Sequence, residues 1–224
     1  MGLYFLINSV TMLITKENIL GGFISMPKFL YQGHGSFRLV SRNGAVVYID
    51  PFMGTGYDLP ADVILVTHQH EDHNKLSLIT RKPDCAVISN VEALAGGKHN
   101  TFDVKGIIIE AVEEGYNKGH TPQDSVGFII TIDGVKMYFA GDTSKTPQME
   151  TFAKRELDFA FLPGDGFYNM NLDEAAECAK LIGAKHNVPV HLKPGELFDM
   201  DMAMEFMSPN RAIIEPGVEI DLSF

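Results

Sequence analysis

The 224 residues are 45% hydrophobic and 21% charged, a balance that suits one sizeable core, in one domain or one two-layer sandwich rather than two domains. Eighteen Lys+Arg against 29 Asp+Glu give a net charge of -11. That disfavours a broad nucleic-acid or anionic-membrane surface but not a small anionic substrate, because bound divalent ions would reverse the local field. Cys85 and Cys178 lie far apart and outside any C-x-x-C pattern, so no disulfide is expected and a reducing cytoplasm fits.

Residues 1–25 read as an extension ahead of a domain spanning 26–224. The apolar stretch 3–14 is too short to span a bilayer and lacks the basic start and small-residue cleavage site of a signal peptide. Two readings stand: a start codon assigned too early, with translation beginning at Met26, or a strand pair or packing arm. From residue 27 the chain reads as strand. Residues 27–31, 37–40, 45–49 and 63–66 are rich in Val, Ile and aromatics, and Asn43-Gly44 signals a two-residue hairpin. A helix is expected from Asp72 through 75–79. Residues 85–89, 107–112, 126–132 and 135–140 read as further strands, the last two joined at a second hairpin signal, Asp133-Gly134. Shorter helices are expected over 146–155 and 201–207. A longer one spans 172–184, with Asn171 as cap, Glu174 as capping-box partner and Gly183 at its end. Strands in runs with helices spaced along both halves predict a layered α/β architecture.

The buried-strand run 63–66 ends at Thr67 and leads into His68-Gln69-His70-Glu71-Asp72-His73. In extended chain, side chains two apart point the same way, so His68 and His70 can face one metal ion. A turn then sends Asp72 and His73 toward a neighbouring point. Imidazole nitrogen and carboxylate oxygen suit zinc, manganese or iron. A structural zinc site would ordinarily use cysteines, and none is near.

The H-x-H-x-D-H run after a hydrophobic strand resembles the signature of the metallo-β-lactamase superfamily. His120 in Gly119-His120-Thr121-Pro122, Asp142 in Ala140-Gly141-Asp142-Thr143 and His191 in Val188-Pro189-Val190-His191 are similar to its later ligand segments, in the same order. The resemblance implies a four-layer αββα sandwich with the ligands at one edge of the two sheets. It assigns His68, His70 and His120 to one ion, Asp72, His73 and His191 to a second, and Asp142 to bridge them. It implies two divalent cations, zinc first among them, with manganese and iron also compatible. Gly33-His34-Gly35-Ser36-Phe37, Asp50-Pro51 and Leu162-Pro163-Gly164 resemble small stand-alone hydrolases similar to ascorbate-6-phosphate lactonase. His34 is then either a residue near the active site or a turn histidine. The sequence after His191, Leu192-Lys193-Pro194-Gly195-Glu196, departs from that subgroup.

These observations predict a hydrolase that attacks an ester, lactone or phosphodiester of a small metabolite with a metal-activated hydroxide. Asp72 is the candidate to orient the nucleophile and relay its proton. Asp50 and Thr67 are candidates either to fix ligand tautomers or simply to form strand-end hydrogen bonds. Lys193 is either a contact for a substrate anion or a solvated loop lysine. Tyr168 and Asn169 are placed beside the pocket, and Asp165 argues against an anion on that Gly-rich stretch. His99 and His186 are expected to be exposed. Alternatives are oxidative chemistry at a single iron, as in persulfide dioxygenases, and a metal-binding module without catalysis. The subgroup resemblance also implies a homo-oligomer, and the expected partner is a small-molecule substrate, with neither nucleic acid nor membrane.

Overall fold

The structure, a computed structural model, describes residues 12–13 and 26–222. Of the extension, only β1 (Met12–Leu13) is described; the expectation of a mis-assigned start or packing arm otherwise lies outside the described residues. Two six-stranded sheets carry the fold. One holds β2 (Lys28–Gly33), β3 (Ser36–Val40), β4 (Val46–Ile49), β5 (Ala61–Val66) and β6 (Arg81–Ser89). After the short α1 (Asn90–Ala93), the other is built from β7 (Thr101–Val104), β8 (Ile107–Glu113), β9 (Val126–Ile132) and β10 (Val135–Phe139). It is completed by β11 (Phe159–Pro163) and, after α2 (Leu172–Ile182), by β12 (His186–Val190). Beyond α3 (Met200–Glu205), β13 (Ala212–Ile213) pairs in parallel with β1, and β14 (Glu219–Asp221) returns to the first sheet against β2.

Alternation sets the layers. Phe29, Tyr31, Phe37, Leu39, Val47, Ile49, Val63 and Leu65 face Ile130, Met137, Phe139, Phe161 and Val188 in one core between the sheets. Phe29 stacks on Phe161 with ring centroids 5.0 Å apart, and Phe37 meets Phe139 at 4.9 Å. The outer face of the second sheet is covered by α2, which buries Ala175, Ala176, Cys178, Ala179 and Ile182 against Ile129, Tyr138, Ala160 and Leu162. Val46, Tyr48, Ile64 and Val66, on the outer face of the first sheet, lie under Tyr57, Leu59, Leu76 and Leu78, from a loop and a single 3-10 turn. Among the described residues no helix is long and apolar enough to cross a membrane, and Cys85 and Cys178 are free thiols.

Several local expectations are corrected. No helix follows Asp72: His73 N–H donates to His70 O in a turn, Lys75 N–H is drawn to Pro51 O, and only Leu76–Leu78 winds a 3-10 turn. The Asn43-Gly44 hairpin is one residue longer than two. Ser41 N–H bonds Ala45 O around it and Gly44 alone takes the left-handed φ, 78°, a three-residue loop rather than a type I′ turn. Asp133-Gly134 does form the expected turn, with φ of 51° and 89°. Asn171 caps α2 by accepting from Glu174 N–H, but the capping box is only half made because Glu174 Oε1 accepts from Lys145 N–H. Pro147–Arg155 is a 3-10 helix. His186 is not an exposed loop residue; it opens β12 half-buried, its ring 5.0 Å from Phe159, whereas His99 is exposed as expected.

At the end remote from the histidines, Asp62 is 1% exposed. It accepts from Val46 N–H, Lys82 Nζ and Lys105 Nζ. Burial alone would raise its pKa, but the two ammonium groups and the amide outweigh it and hold it below the usual carboxylate range. A carboxylate with a folded pKa below its unfolded value of about 3.9 stabilises above that value and loses the contribution as pH falls through the folded one. Asp62→Asn is therefore expected to lower the melting temperature at pH 7 by about 2–4 °C. The gap should close as both proteins are melted at successively lower pH below about 4; a constant gap would contradict the ion-pair origin.

Candidate metal centre

Strand direction explains why residues so distant in sequence converge. β4 and β5 are parallel, and β2 runs the same way because it is antiparallel to β3, which is antiparallel to β4. In the other sheet β10, β11 and β12 are parallel, and β8 matches them through β9. All these C-terminal ends emerge at one edge. The residues that follow them are His34, Asp50, Thr67-His68, Glu114, Asp142, Asp165 and His191. The loop between β8 and β9 adds His120, and the turn after His68 adds His70, Asp72 and His73. His34, Asp50 and His191 turn sharply off their strands with φ of 56°, 45° and 46°. That left-handed region is costly for a side-chain-bearing residue and tends to be retained at functional sites.

The histidines are oriented by what holds Nδ1. His73 Nδ1 lies 2.9 Å from Asp50 Oδ2, His191 Nδ1 3.0 Å from Asp165 Oδ2 and His120 Nδ1 2.9 Å from Asn117 Oδ1. Asn117 Oδ1 also accepts from Gly119 and His120 N–H, which fixes it as the oxygen. His68 Nδ1 is 2.9 Å from Thr67 Oγ1, whose own proton goes to Asp50 Oδ2 at 2.7 Å. In each case an acceptor holds Nδ1–H, so Nε2 is the nitrogen turned to the centre and available to a metal ion. Asp50 and Thr67 thus make strand-end hydrogen bonds that also set ring tautomers.

The centre itself leaves its inward-facing atoms unpaired. Nε2 of His68, His73 and His191 and Oδ1 of Asp142 are buried without a hydrogen-bond partner. Asp142 Oδ1 lies 3.3 Å from His73 Nε2, and its Oδ2 3.4 Å from His191 Nε2. Unpaired buried polar atoms are costly, and so many aimed at one another call for a cation. One donor atom from each of His68, His70 and His120 lies within 4.8 Å of the others. The same holds for His68, His73 and Asp142, and for His34, Asp72, His73 and His191. A divalent ion fits this set of nitrogen and oxygen donors. Burial opposes charge on Asp142 and Asp72, but the surrounding histidines outweigh it and hold both carboxyls below their ordinary range. Burial likewise opposes charge on His191, and Asp142, Asp165 and Asp72 push it up to about 9.

Every predicted ligand is in the cluster, and so is His34, whose Nε2 is 3.2 Å from Asp72 Oδ2. Lys193 is not poised for a substrate anion: its ammonium pairs with Glu196 at 2.7 Å and lies 3.9 Å from Asp199. Tyr168 is half exposed beside Phe167, near the site through its loop. The Gly-rich stretch does gather backbone N–H groups around an anion, but the anion is internal. Asp165 Oδ1 accepts from the N–H of Phe167, Tyr168 and Asn169.

Sequence reasoning missed Glu114 and the part Asp165 plays in holding His191. Glu114 is fully buried; its Oε1 accepts from Asp142 N–H at 2.8 Å and lies 3.5 Å from His68 Nδ1. Burial and the nearby carboxylates of Asp50 and Asp142 raise its pKa well above the ordinary range. The available signal was its place just past a strand, like Asp50 and Asp142. Gly141 is what lets Glu114 approach: at φ 65°, a Cβ there would sit 2.5 Å from the Glu114 carboxyl carbon. Gly141→Ala is expected to cost on the order of 2 kcal/mol or more by chemical denaturation. Gly44→Ala, at φ 78° with nothing within 4 Å, should cost only about 1 kcal/mol of backbone strain. Equal costs would mean that the Glu114 contact carries no weight.

Comparison with known proteins agrees with this geometry. The family model described as a beta-lactamase superfamily domain matches residues 28–191, which span the whole cluster from His34 to His191. A UPF0173 metal-dependent hydrolase of Thermoplasma acidophilum is 31% identical over 198 residues, covering 78% of this chain and 87% of the relative. One from Geobacillus thermodenitrificans is 29% identical, covering 87% of this chain and 100% of the relative. Among solved structures, a protein of Parabacteroides distasonis described as a metal-dependent hydrolase superposes with a TM-score of 0.69 at 30% identity, covering 85% of this chain and 93% of that one. The metallo hydrolase Igni18 of Ignicoccus hospitalis shares the fold with a TM-score of 0.71 at 21% identity, covering 89% and 100%. The chain belongs to the β-lactamase superfamily, as a metallo-β-lactamase-fold member of the UPF0173 metal-dependent hydrolases.

Proposed function

We propose that the chain is a binuclear hydrolase of an ester, lactone or phosphodiester in a small metabolite. The observation that carries this reading is the convergence of three buried, unpartnered histidine Nε2 atoms on Asp142, beside a second group built on Asp72 and His191. His68, His70 and His120 would hold one ion, Asp72, His73 and His191 the other, and Asp142 would lie between them. Zinc suits the donors best, and manganese and iron are compatible. Two such ions supply water activated for attack at neutral pH and a Lewis acid for the developing negative charge.

The chain's residues do the rest. Thr67, Asp50, Asn117 and Asp165 keep the imidazoles in one tautomer and one orientation, so that little reorganisation accompanies reaction. Asp72, with its side chain 37% exposed, is the carboxylate of the cluster that substrate and water can reach. Its place favours orienting the nucleophile and relaying its proton. The exposed Phe167 and half-exposed Tyr168, on the loop that holds His191, form a rim against which an apolar part of the substrate can lie. A single-iron oxidative site would leave His191 Nε2 and Asp72 without a metal ion, which favours the two-ion reading. The two free thiols and the absence of a membrane-length helix among the described residues support work on a soluble metabolite in the cytoplasm.

Protein purified without chelator or histidine tag is expected to carry about two equivalents of divalent metal by elemental analysis. It should turn over at least one member of an ester, lactone and phosphodiester panel. His68→Ala and Asp142→Ala are each expected to lose more than the about 10–100-fold in affinity or activity that removing a ligand's outer partner costs. Full loading and activity in either variant would refute the ligand assignment, and about one equivalent of iron with oxygen-dependent turnover would point to the oxidative chemistry instead.

A further inference from the structure

His34 belongs to neither ligand set assigned above, yet it is built like a member. It is fully buried at a left-handed φ of 56°, and its backbone is held on both sides. Its N–H donates to Leu197 O, and its carbonyl accepts from His191 N–H at 3.0 Å and from Tyr31 Oη at 2.8 Å. The next residue must be small, because a Cβ at Gly35 would come within 3.0 Å of His73 Cε1. The His34 ring lies on that of His191, centroids 3.7 Å apart.

The polarity of the ring is the telling feature. His34 Nδ1 is 3.1 Å from Glu196 O, a carbonyl that can only accept, so Nδ1 carries a proton. Nε2 faces Asp72 Oδ2 at 3.2 Å. This is the arrangement of His68, His73, His120 and His191, each with Nδ1–H anchored and Nε2 turned inward. One donor atom from each of His34, Asp72, His73 and His191 lies within 4.8 Å of the others, a spacing that a single cation can span. Nε2 of His191 is 3.8 Å from the same Asp72 oxygen, so three donors on three separate loops surround one point.

We infer that His34 is a metal ligand through Nε2, joining Asp72 and His191 around the second ion. The assignment rests on the two-ion reading and adds to it a ligand contributed by the end of β2. It gives the second ion two imidazoles whose ring centroids lie 3.7 Å apart at a 43° tilt, and it gives the strained turn at His34 a purpose.

The test is direct on the wild-type chain. Loaded with cadmium-113 and labelled with nitrogen-15 in histidine, the chain is expected to show one-bond metal coupling at His34 Nε2, the ring being assigned through its own backbone. In chelator competition, His34→Gln should keep the tighter ion within about threefold and bind the weaker one at least about tenfold less tightly. Melting of the metal-free variant checks that it folds. Two bound ions with no coupling at His34, or unchanged affinities in the folded variant, would overturn the assignment and leave the two-ion reading standing. One ion or none bound by the wild type would overturn both.

Discussion

The anchoring of Nδ1 is the constraint on which the rest of the site depends. An imidazole has two edges, and a buried one must satisfy both. Here the outward edge is tied to an acceptor on a neighbouring strand end: Asp50 for His73, Asp165 for His191, Thr67 for His68, Asn117 for His120. The inward nitrogens of His68, His73 and His191 have no hydrogen-bond partner, and that of His120 meets only another ring, His70 Nδ1 at 3.0 Å. A divalent ion would complete this division, and its binding would relieve the cost of the unpaired atoms.

That constraint reaches back into the fold. Anchors and anchored rings must arrive at one edge from both sheets, which parallel strands achieve by placing their C-terminal ends together. Backbone bonds then lock the two sheets at that edge: Val126 N–H to Thr67 O, and His191 N–H to His34 O. The price is backbone strain at Asp50, His34 and His191, borne by the aromatic and aliphatic core immediately beneath. A small void lined by Phe37, Ile49, Phe139, Phe161 and Val190 separates that core from Asp142 and His73. The charged layer therefore rests on an apolar floor, with the more exposed His70 and Asp72 on its other side.

How much of this could be read from residues alone depended on how local each cause was. The H-x-H-x-D-H run, the strand that feeds it and the Asp133-Gly134 turn are local, and they were legible. The helix expected after Asp72 failed because the backbone there answers to distant groups, Lys75 N–H going to Pro51 O rather than up a helix. His34 was ambiguous because a Gly-His-Gly turn looks the same whether or not its ring meets Asp72. Glu114 and the anchoring role of Asp165 were illegible for a related reason. Each is a single carboxylate past a strand end, and its meaning comes from residues 28 and 26 positions away, Asp142 and His191.

Asp165 shows how binding and selectivity are joined in such a layout. One of its oxygens holds His191; the other gathers the N–H groups that shape the loop bearing Phe167 and Tyr168. Asn169 strengthens the link, donating to Asp165 Oδ2 and accepting from Asn117, the residue that anchors His120. The loop bearing Phe167 and Tyr168 is therefore mechanically continuous with histidines from both donor groups. A change in loop backbone would move His191, whereas a change of side chain at 167 or 168 would not, since those side chains are exposed and only their backbone N–H groups meet Asp165. Specificity in this fold can then vary through exposed side chains on a loop whose path the metal site dictates. That separation would allow the same donors to serve different substrates without being rebuilt.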